Sequence, residues 1–392
     1  MIASHRAIAA AALLCCGGLL PAAFPARAAD APPAVTGVAL PHSRQWTMHA
    51  AGNGRDYEIF VAEPEGPPPE GGYATIYVLD GNAMFLTTVE AVRAYSRRPG
   101  TEHDKHVLVV GIGYPEGTNV AAARTFDLTP AADEPRSRHP SGGADAFLDF
   151  IEDELKPAIA RDYPVDPKRQ ALMGHSFGGL FAIGTLTRRP QAFHTYVGMS
   201  ASFWFGRGDL ARRVAEFAQA RAAQDTPVRV LLTAGEFEQR PPPQEWVHDP
   251  GRAAKAAEDL EARGQSRRAQ EAARQLAQVP GVLVDFREIA GEDHGTVIPA
   301  AIARGVDFIL RGPRRVPPVP TADEYMQLGA DGRYRLRMQV RALPDLHRIP
   351  WLNALKASLK AGLDAPAHAR LHEERQAMDE RYGSRPHEVN AD

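Results

Sequence analysis

Leu172-Met173-Gly174-His175-Ser176-Phe177-Gly178-Gly179 decides how this chain is read: a serine with glycine two residues either side stands between an apolar run and a helical one. A serine held on a sharp strand-to-helix turn has backbone angles that side chains at 174 and 178 would obstruct, and glycine removes the obstruction. The turn also aims the first free amides of the following helix at the serine, so the Phe177 N–H is the expected donor to a developing oxyanion. A serine hydroxyl attacks poorly unless a base takes its proton, so the pattern calls for a carboxylate and then an imidazole further along the chain.

Gly291-Glu292-Asp293-His294-Gly295 supplies the imidazole, His294, directly after the last apolar run. His175 adjoins the serine in sequence, but across so sharp a turn its ring is expected to point away, and it is read as structural. The orienting carboxylate is expected in Ala234-Gly235-Glu236-Phe237-Glu238, behind the run Val228 to Thr233, with Glu238 the first choice and Glu236 the second. Asp293 is too close in sequence to hold the ring from behind. A second oxyanion donor is expected from Tyr77-Val78-Leu79-Asp80-Gly81-Asn82, where glycine permits close backbone approach and the amide of Gly81 or Asn82 is the candidate.

Working outward, short β-rich runs recur at Tyr57 to Val61, Ala74 to Leu79, His106 to Ile112, Arg169 to Gly174, Thr195 to Met199, Val228 to Ala234 and Val282 to Ile289. Several are almost wholly apolar, as strands buried on both faces are. Between them, Ala144 to Ala160 gathers Phe147, Leu148, Ile151, Leu155 and Ile159 on one helical face. The alternation predicts an α/β protein with a mostly parallel central sheet and helices on both faces. Ala253 to Leu276 reads as a charged, alanine-rich helix behind Pro241-Pro242-Pro243, either a lid or a solvated connector. After a proline-rich linker from Pro313 to Pro320, Tyr325, Tyr334, Leu336, Trp351 and Leu355 predict a small helical extension, with a charged tail beyond Pro366 expected to fray.

The expected organisation is therefore a leader over 1–28, a main domain over 29–312 and the linker and extension over 313–392. Arg6, the apolar run Ile8 to Leu20 and the triplet Ala26-Arg27-Ala28 read as a cleaved export signal, which predicts a periplasmic or secreted protein. Cys15 and Cys16, the only cysteines, fall inside that leader, so no disulfide, thiolate metal site or cysteine nucleophile is expected after cleavage. No later stretch approaches the ~20 apolar residues of a membrane span. A formal charge of -3 argues against nucleic acid as the partner.

These segments resemble the esterase-D-like group of α/β-hydrolases, and within it the enterochelin and trilactone siderophore esterase branch. The resemblance is carried by Leu79 to Phe85, Arg124-Thr125-Phe126-Asp127-Leu128-Thr129-Pro130, Met173 to Leu180, Ser200-Ala201-Ser202-Phe203-Trp204 and Gly291 to Gly295, which punctuate residues 75–310. It implies the α/β-hydrolase fold, hydrolysis of a small-molecule ester through an acyl-enzyme, and no cofactor or metal. In that branch the ester belongs to a ferric catecholate siderophore, which is large, anionic and aromatic. Arg124 is then a candidate source of positive charge and Trp204 of a stacking surface, with Asn82 beside them. The plainer alternatives are that Arg124 caps a helix or pairs with Asp127 and that Trp204 is core. At the level of function the rivals are a general carboxylesterase for feruloyl, acetyl or similar esters, and a non-catalytic siderophore-binding protein.

Overall fold

The computed structural model describes residues 39–98, 106–132, 137–220, 227–240, 258, 260–311 and 316–382. The expected leader with its two cysteines, Pro241 to Pro243 and Pro313 lie outside the described residues, as do most of residues 253–259 and everything beyond 382. Among the described residues eight strands form one sheet in the order β1-β2-β4-β3-β5-β6-β7-β8. They are β1 (Ser43–Ala50), β2 (Arg55–Ala62), β3 (Tyr73–Leu79), β4 (Val107–Gly113), β5 (Val165–His175), β6 (Thr195–Met199), β7 (Val228–Gly235) and β8 (Val282–Ile289). β1 and β2 run antiparallel, and from β4 to β8 every neighbouring pair is parallel. β3, β4, β6 and β7 are buried along their whole length, which is why their sequences are continuous apolar runs rather than alternations.

Helices Gly81–Ser96, Val120–Leu128, Phe177–Arg188, Asp209–Ala220, Gln265–Ala277 and Val297–Leu310 flank the sheet. The helical run predicted from Ala144 is observed as Ala144–Asp149, a π-helical turn Phe150–Leu155 and a continuation Lys156–Asp162. Pro157 lacks an amide hydrogen, and the wider turn just ahead of it keeps the run from breaking. Tyr57 from β2 stacks on Phe150 at 4.4 Å between ring centres, tying this run to the sheet.

The solvated-connector expectation for the alanine-rich segment is corrected. Helix Gln265–Ala277 buries Ala269, Ala272, Ala273 and Leu276 against β7 and β8, so alanine here gives close approach to the sheet. The extension consists of helices Ala322–Gln327, Gly329–Arg341, Asp345–Gly362 and Ala365–Tyr382. Tyr325, Val340, Leu343, Trp351 and Leu355 form its own small core, with Leu336 packed beside it. It docks on the open edge of the sheet, where His347 Nε2 accepts the Val284 amide hydrogen at 3.0 Å. That bond gives an edge-strand amide a partner inside the protein. Past Pro366 the chain is helical as far as Tyr382, and a two-pronged Arg333–Glu374 ion pair ties this last helix to Gly329–Arg341.

Candidate active site

β5 ends at His175, and Ser176 opens helix Phe177–Arg188 with φ 58 and ψ −114. A side chain strongly disfavours that backbone, at a cost on the order of 1–3 kcal/mol, so it persists only where its surroundings enforce it. The enforcement is steric: a Cβ on Gly174 would lie 2.5 Å from the Gly178 backbone, and one on Gly179 would lie 2.9 Å from Ala201. Ser176 is also pinned by its own main chain, its amide donating to Met199 O at 2.9 Å and its carbonyl accepting from the Ser202 amide at 3.2 Å.

His294 arrives on the loop after β8 and Glu238 on the short turn after β7. His294 Nε2 lies 3.1 Å from Ser176 Oγ, and His294 Nδ1 lies 3.0 Å from Glu238 Oε2. A hydroxyl, an imidazole and a carboxylate from three distant segments thus form one hydrogen-bonded chain. Its middle link meets solvent, with the His294 side chain 43% exposed, while Glu238 is only 2% exposed. Burial works to raise the Glu238 carboxyl, but hydrogen bonds from His294, Ser200 and the Gly235 amide outweigh it and hold the group below its ordinary value. Oε1 accepts from Gly235 N at 2.7 Å and from the Ser200 hydroxyl, while Oε2 accepts from His294 and from Gln265 Nε2. The second choice, Glu236, faces elsewhere and accepts the Gly291 amide at 2.9 Å. Asp293 turns back on its own loop, accepting from the Gly295 and Thr296 amides.

His175 packs against the His294 ring, with 4.6 Å between ring centres. Burial, and then the neighbouring imidazole, push it down to about 4, so it stays neutral at ordinary pH. Ser202, fully buried, brings a second hydroxyl to 3.3 Å from Ser176 Oγ.

Opposite the elbow, Gly81 begins helix Gly81–Ser96 behind Asp80, whose φ is 53. The open side of Gly178 faces Asp80 Oδ2 and Leu79, so this turn borders the serine. Phe177 and Gly81 each stand in the first turn of a helix, where amides have no acceptor within the helix. Asn82 does not offer its side chain to the site: it is bonded both ways to the Tyr114 main chain, at 2.9 and 2.8 Å, and fastens the loop after β4. Arg124 neither caps a helix nor pairs with Asp127. It grips Asp80 with two bonds, at 2.8 and 2.9 Å, and lies over the Phe177 ring at 5.6 Å. Asp127 pairs instead with Arg55, at 3.2 Å.

Trp204 is half-buried rather than core. Its indole stands 6.0 Å from Phe177, its Nε1 donates to Gln265 Oε1 at 3.0 Å, and the exposed Arg263 lies over it at 5.2 Å. Gln265, Ser200, Ser202 and Arg263 are the site residues that sequence reasoning did not assign. Only the Ser200 to Trp204 motif hinted at any of them. A cavity of about 400 Å³ between Arg229, Asp285, Phe308 and Pro344 shares no lining residue with the serine chain. Among the described residues no group of three His, Cys, Asp or Glu could hold a metal ion, and no helix is long and apolar enough to cross a membrane.

A mostly parallel sheet that presents a serine on a strained turn after β5, a carboxylate after β7 and a histidine after β8 defines an α/β-hydrolase. The family model described as "Putative esterase" matches residues 50–275, and the chain belongs to this esterase family. It is 35% identical over 279 residues to the ferri-bacillibactin esterase BesA of Bacillus subtilis, covering 69% of this chain and 90% of that one. It is 34% identical over 293 residues to the siderophore triacetylfusarinine C esterase of Aspergillus fumigatus, covering 70% and 95%. The solved structure of the siderophore hydrolase EstB from Aspergillus nidulans superposes with a TM-score of 0.64 at 32% identity, covering 72% of this chain and 98% of that one. The protein is an esterase, a hydrolase of the α/β class.

Proposed function

We propose that this esterase hydrolyses a siderophore ester through an acyl-enzyme on Ser176, and that its substrate is a catecholate trilactone whose cleavage lowers its hold on iron. The observation that carries the chemistry is the hydrogen-bonded chain from Ser176 Oγ through His294 to Glu238 on a positive-φ turn. His294 takes the hydroxyl proton as Ser176 Oγ bonds to the ester carbonyl carbon, and Glu238 keeps Nδ1 protonated and steadies the imidazolium. The Phe177 amide and the Gly81 amide receive the oxyanion. His294 then protonates the departing alkoxide, and a water activated by the same imidazole releases the acid and restores Ser176.

For the substrate, the support is similarity to proteins named as esterases of bacillibactin and triacetylfusarinine C. The aromatic wall of Phe177 and Trp204, with Arg263 above it, suits a flat anionic ligand. Arg124, its charge matched by Asp80, serves the substrate by backing Phe177 and fixing the Gly81 turn. Export through the leader over 1–28 belongs to the same reading, since extracytoplasmic iron carriers are met there, and N-terminal sequencing of the mature protein tests it.

The deciding experiment compares hydrolysis of enterobactin-type trilactones, with and without iron, against short aryl, acetyl and feruloyl esters, for the wild type and Ser176→Ala. Rapid trilactone cleavage abolished in the variant is expected. Preference for simple esters makes the protein a general carboxylesterase, and full activity in Ser176→Ala removes the nucleophile assignment. Fluorophosphonate labelling at Ser176 separates both from a non-catalytic binding protein.

A further inference from the structure

We infer that Gln265 is a positioning residue that fixes the carboxylate behind His294 and ties it to the Trp204 wall; the inference rests on the hydrolytic roles proposed for Ser176 and His294. Gln265 comes from neither β7 nor β8. It opens helix Gln265–Ala277 immediately after Gly264, whose φ of 52 turns the chain sharply inward. Its side chain is bonded at both ends although the residue is only 4% exposed.

The partners fix which end of the amide is which. The Trp204 indole can only donate, so the atom facing it at 3.0 Å is Oε1. Nε2 has two hydrogens and faces two acceptors, Ser200 O at 2.7 Å and Glu238 Oε2. Its separation of 3.1 Å from His294 Nδ1 is not a third bond, because Nδ1–H is directed at the same Oε2. Two donors therefore converge on one carboxylate oxygen, from the amide and from the imidazole.

Two consequences follow. With Gly235 and Ser200 holding Oε1, the amide completes a four-donor cradle in which the carboxylate can neither rotate nor slide, and the imidazole inherits that rigidity. The amide also joins Glu238 to Trp204, so a displacement of the indole is felt at the carboxylate through two hydrogen bonds. Charged and titratable groups facing this niche are Glu238, His294, His175 and, across the indole, Arg263.

The test uses Gln265→Met, which keeps length and volume without polar atoms, and Gln265→Glu, which keeps shape and the acceptor for Trp204. Both are compared with wild type and Ser176→Ala for fluorophosphonate labelling rate and for kcat and KM on a short aryl ester. Wild type unlabelled at Ser176 defeats the underlying catalytic reading, independently of Gln265. With wild type labelled, Gln265→Met is expected to label roughly 10- to 100-fold more slowly and to lose kcat rather than raise KM, as misplacement of a base does. In Gln265→Glu two carboxyls share one niche, so one of them holds a proton to higher pH than usual. Its rate relative to wild type is expected to rise as pH falls from about 8 to about 6, because the protonated carboxyl regains one of the amide's two donors. A Gln265→Met rate equal to wild type overturns the proposal. A flat Gln265→Glu ratio across that range also overturns it, and it decides the matter even where Gln265→Met does not fold.

Discussion

Replacing Glu238 by glutamine removes one charge and adds two hydrogens to a niche built only of donors. Neither orientation of the new amide is accommodated unless its partners rearrange. With the new NH₂ in the place of Oε1, it confronts the Gly235 amide, which now sits 2.7 Å from a carboxylate oxygen and cannot turn away. In the place of Oε2 it confronts both Gln265 Nε2 and His294 Nδ1, and the imidazole can meet it only by changing tautomer and accepting at Nδ1. Nε2 then carries the hydrogen, and the Ser176 hydroxyl at 3.1 Å loses its base. A serine hydrolase held in the wrong imidazole tautomer loses on the order of 10⁴-fold in kcat, so Glu238→Gln is expected to fall by roughly 10³- to 10⁴-fold, about 4–5.5 kcal/mol of transition-state stabilisation. The assay is kcat/KM on a short aryl ester across about pH 5 to 9, with denaturant unfolding run beside it to show an intact fold. A folded Glu238→Gln within threefold of wild type at every pH refutes the argument, since the carboxylate would then contribute neither tautomer nor charge.

Asp127 is buried, and burial, partly countered by Arg55, pushes its carboxyl up to about 6. Its protonated form therefore favours the fold below the unfolded value near 3.8, an advantage lost as pH rises through about 6. Arg55→Met should cost more stability at about pH 8 than at about pH 5, by roughly 1–3 kcal/mol, and equal losses in urea titrations at the two pH values contradict this. His347 is lowered by burial, so its contribution is present above its unfolded value near 6.5 and is lost on acidification. His347→Phe should strand the Val284 amide, destabilise the protein by about 1–3 kcal/mol at pH 8, and flatten the decline below about pH 6; hydrogen exchange at Val284 and unfolding at both pH values report it. Glycine normally costs about 0.5–1 kcal/mol relative to alanine in regular structure. At position 176, Ser176→Gly should instead be the more stable of the two by about 1–2 kcal/mol, because φ 58 with ψ −114 is glycine's territory; the opposite order in equilibrium unfolding shows that the turn is unstrained.

Much of this was legible in the sequence because its causes are local or topological. Strands buried on both faces read as apolar runs, and those from β2 to β8 fall where the runs do. β1 was missed because Ser43–Ala50 lies at the sheet edge with all but Ala50 partly or fully exposed, leaving no continuous run to read. The elbow is a matter of clashes within five residues, and His294 and Glu238 follow from the fold, which delivers the loops after β8 and β7 to one end of the sheet. Arg124 was flagged in one motif and Asp80 in another, but nothing in either motif says that they grip each other across 44 positions. Gln265 left still less trace: an amide in a charged, alanine-rich stretch looks solvated until Gly264 is seen to turn it inward.

Asp80, Ser176 and Ser200 show why the site takes this form. Each immediately follows a strand, β3, β5 and β6, which are neighbours in the sheet, and each has a positive φ, 53, 58 and 46, without being glycine. Glycine would take these turns at lower cost, saving on the order of 1–2 kcal/mol at each left-handed residue. Every one of the three has a side chain that glycine lacks and that the neighbouring chemistry uses. The Asp80 carboxylate grips Arg124 beside the Gly81 amide, the Ser176 hydroxyl meets His294, and the Ser200 hydroxyl completes the Glu238 cradle. A strand that ends in a tight turn throws its next side chain sideways across the end of the sheet instead of along it, and three adjacent turns aim three polar groups at one place. The strain is therefore the cost of convergence. Glycine at Ser176 should raise stability while abolishing ester cleavage, whereas at Asp80 the strain relieved is outweighed by the Arg124 guanidinium left without its partner.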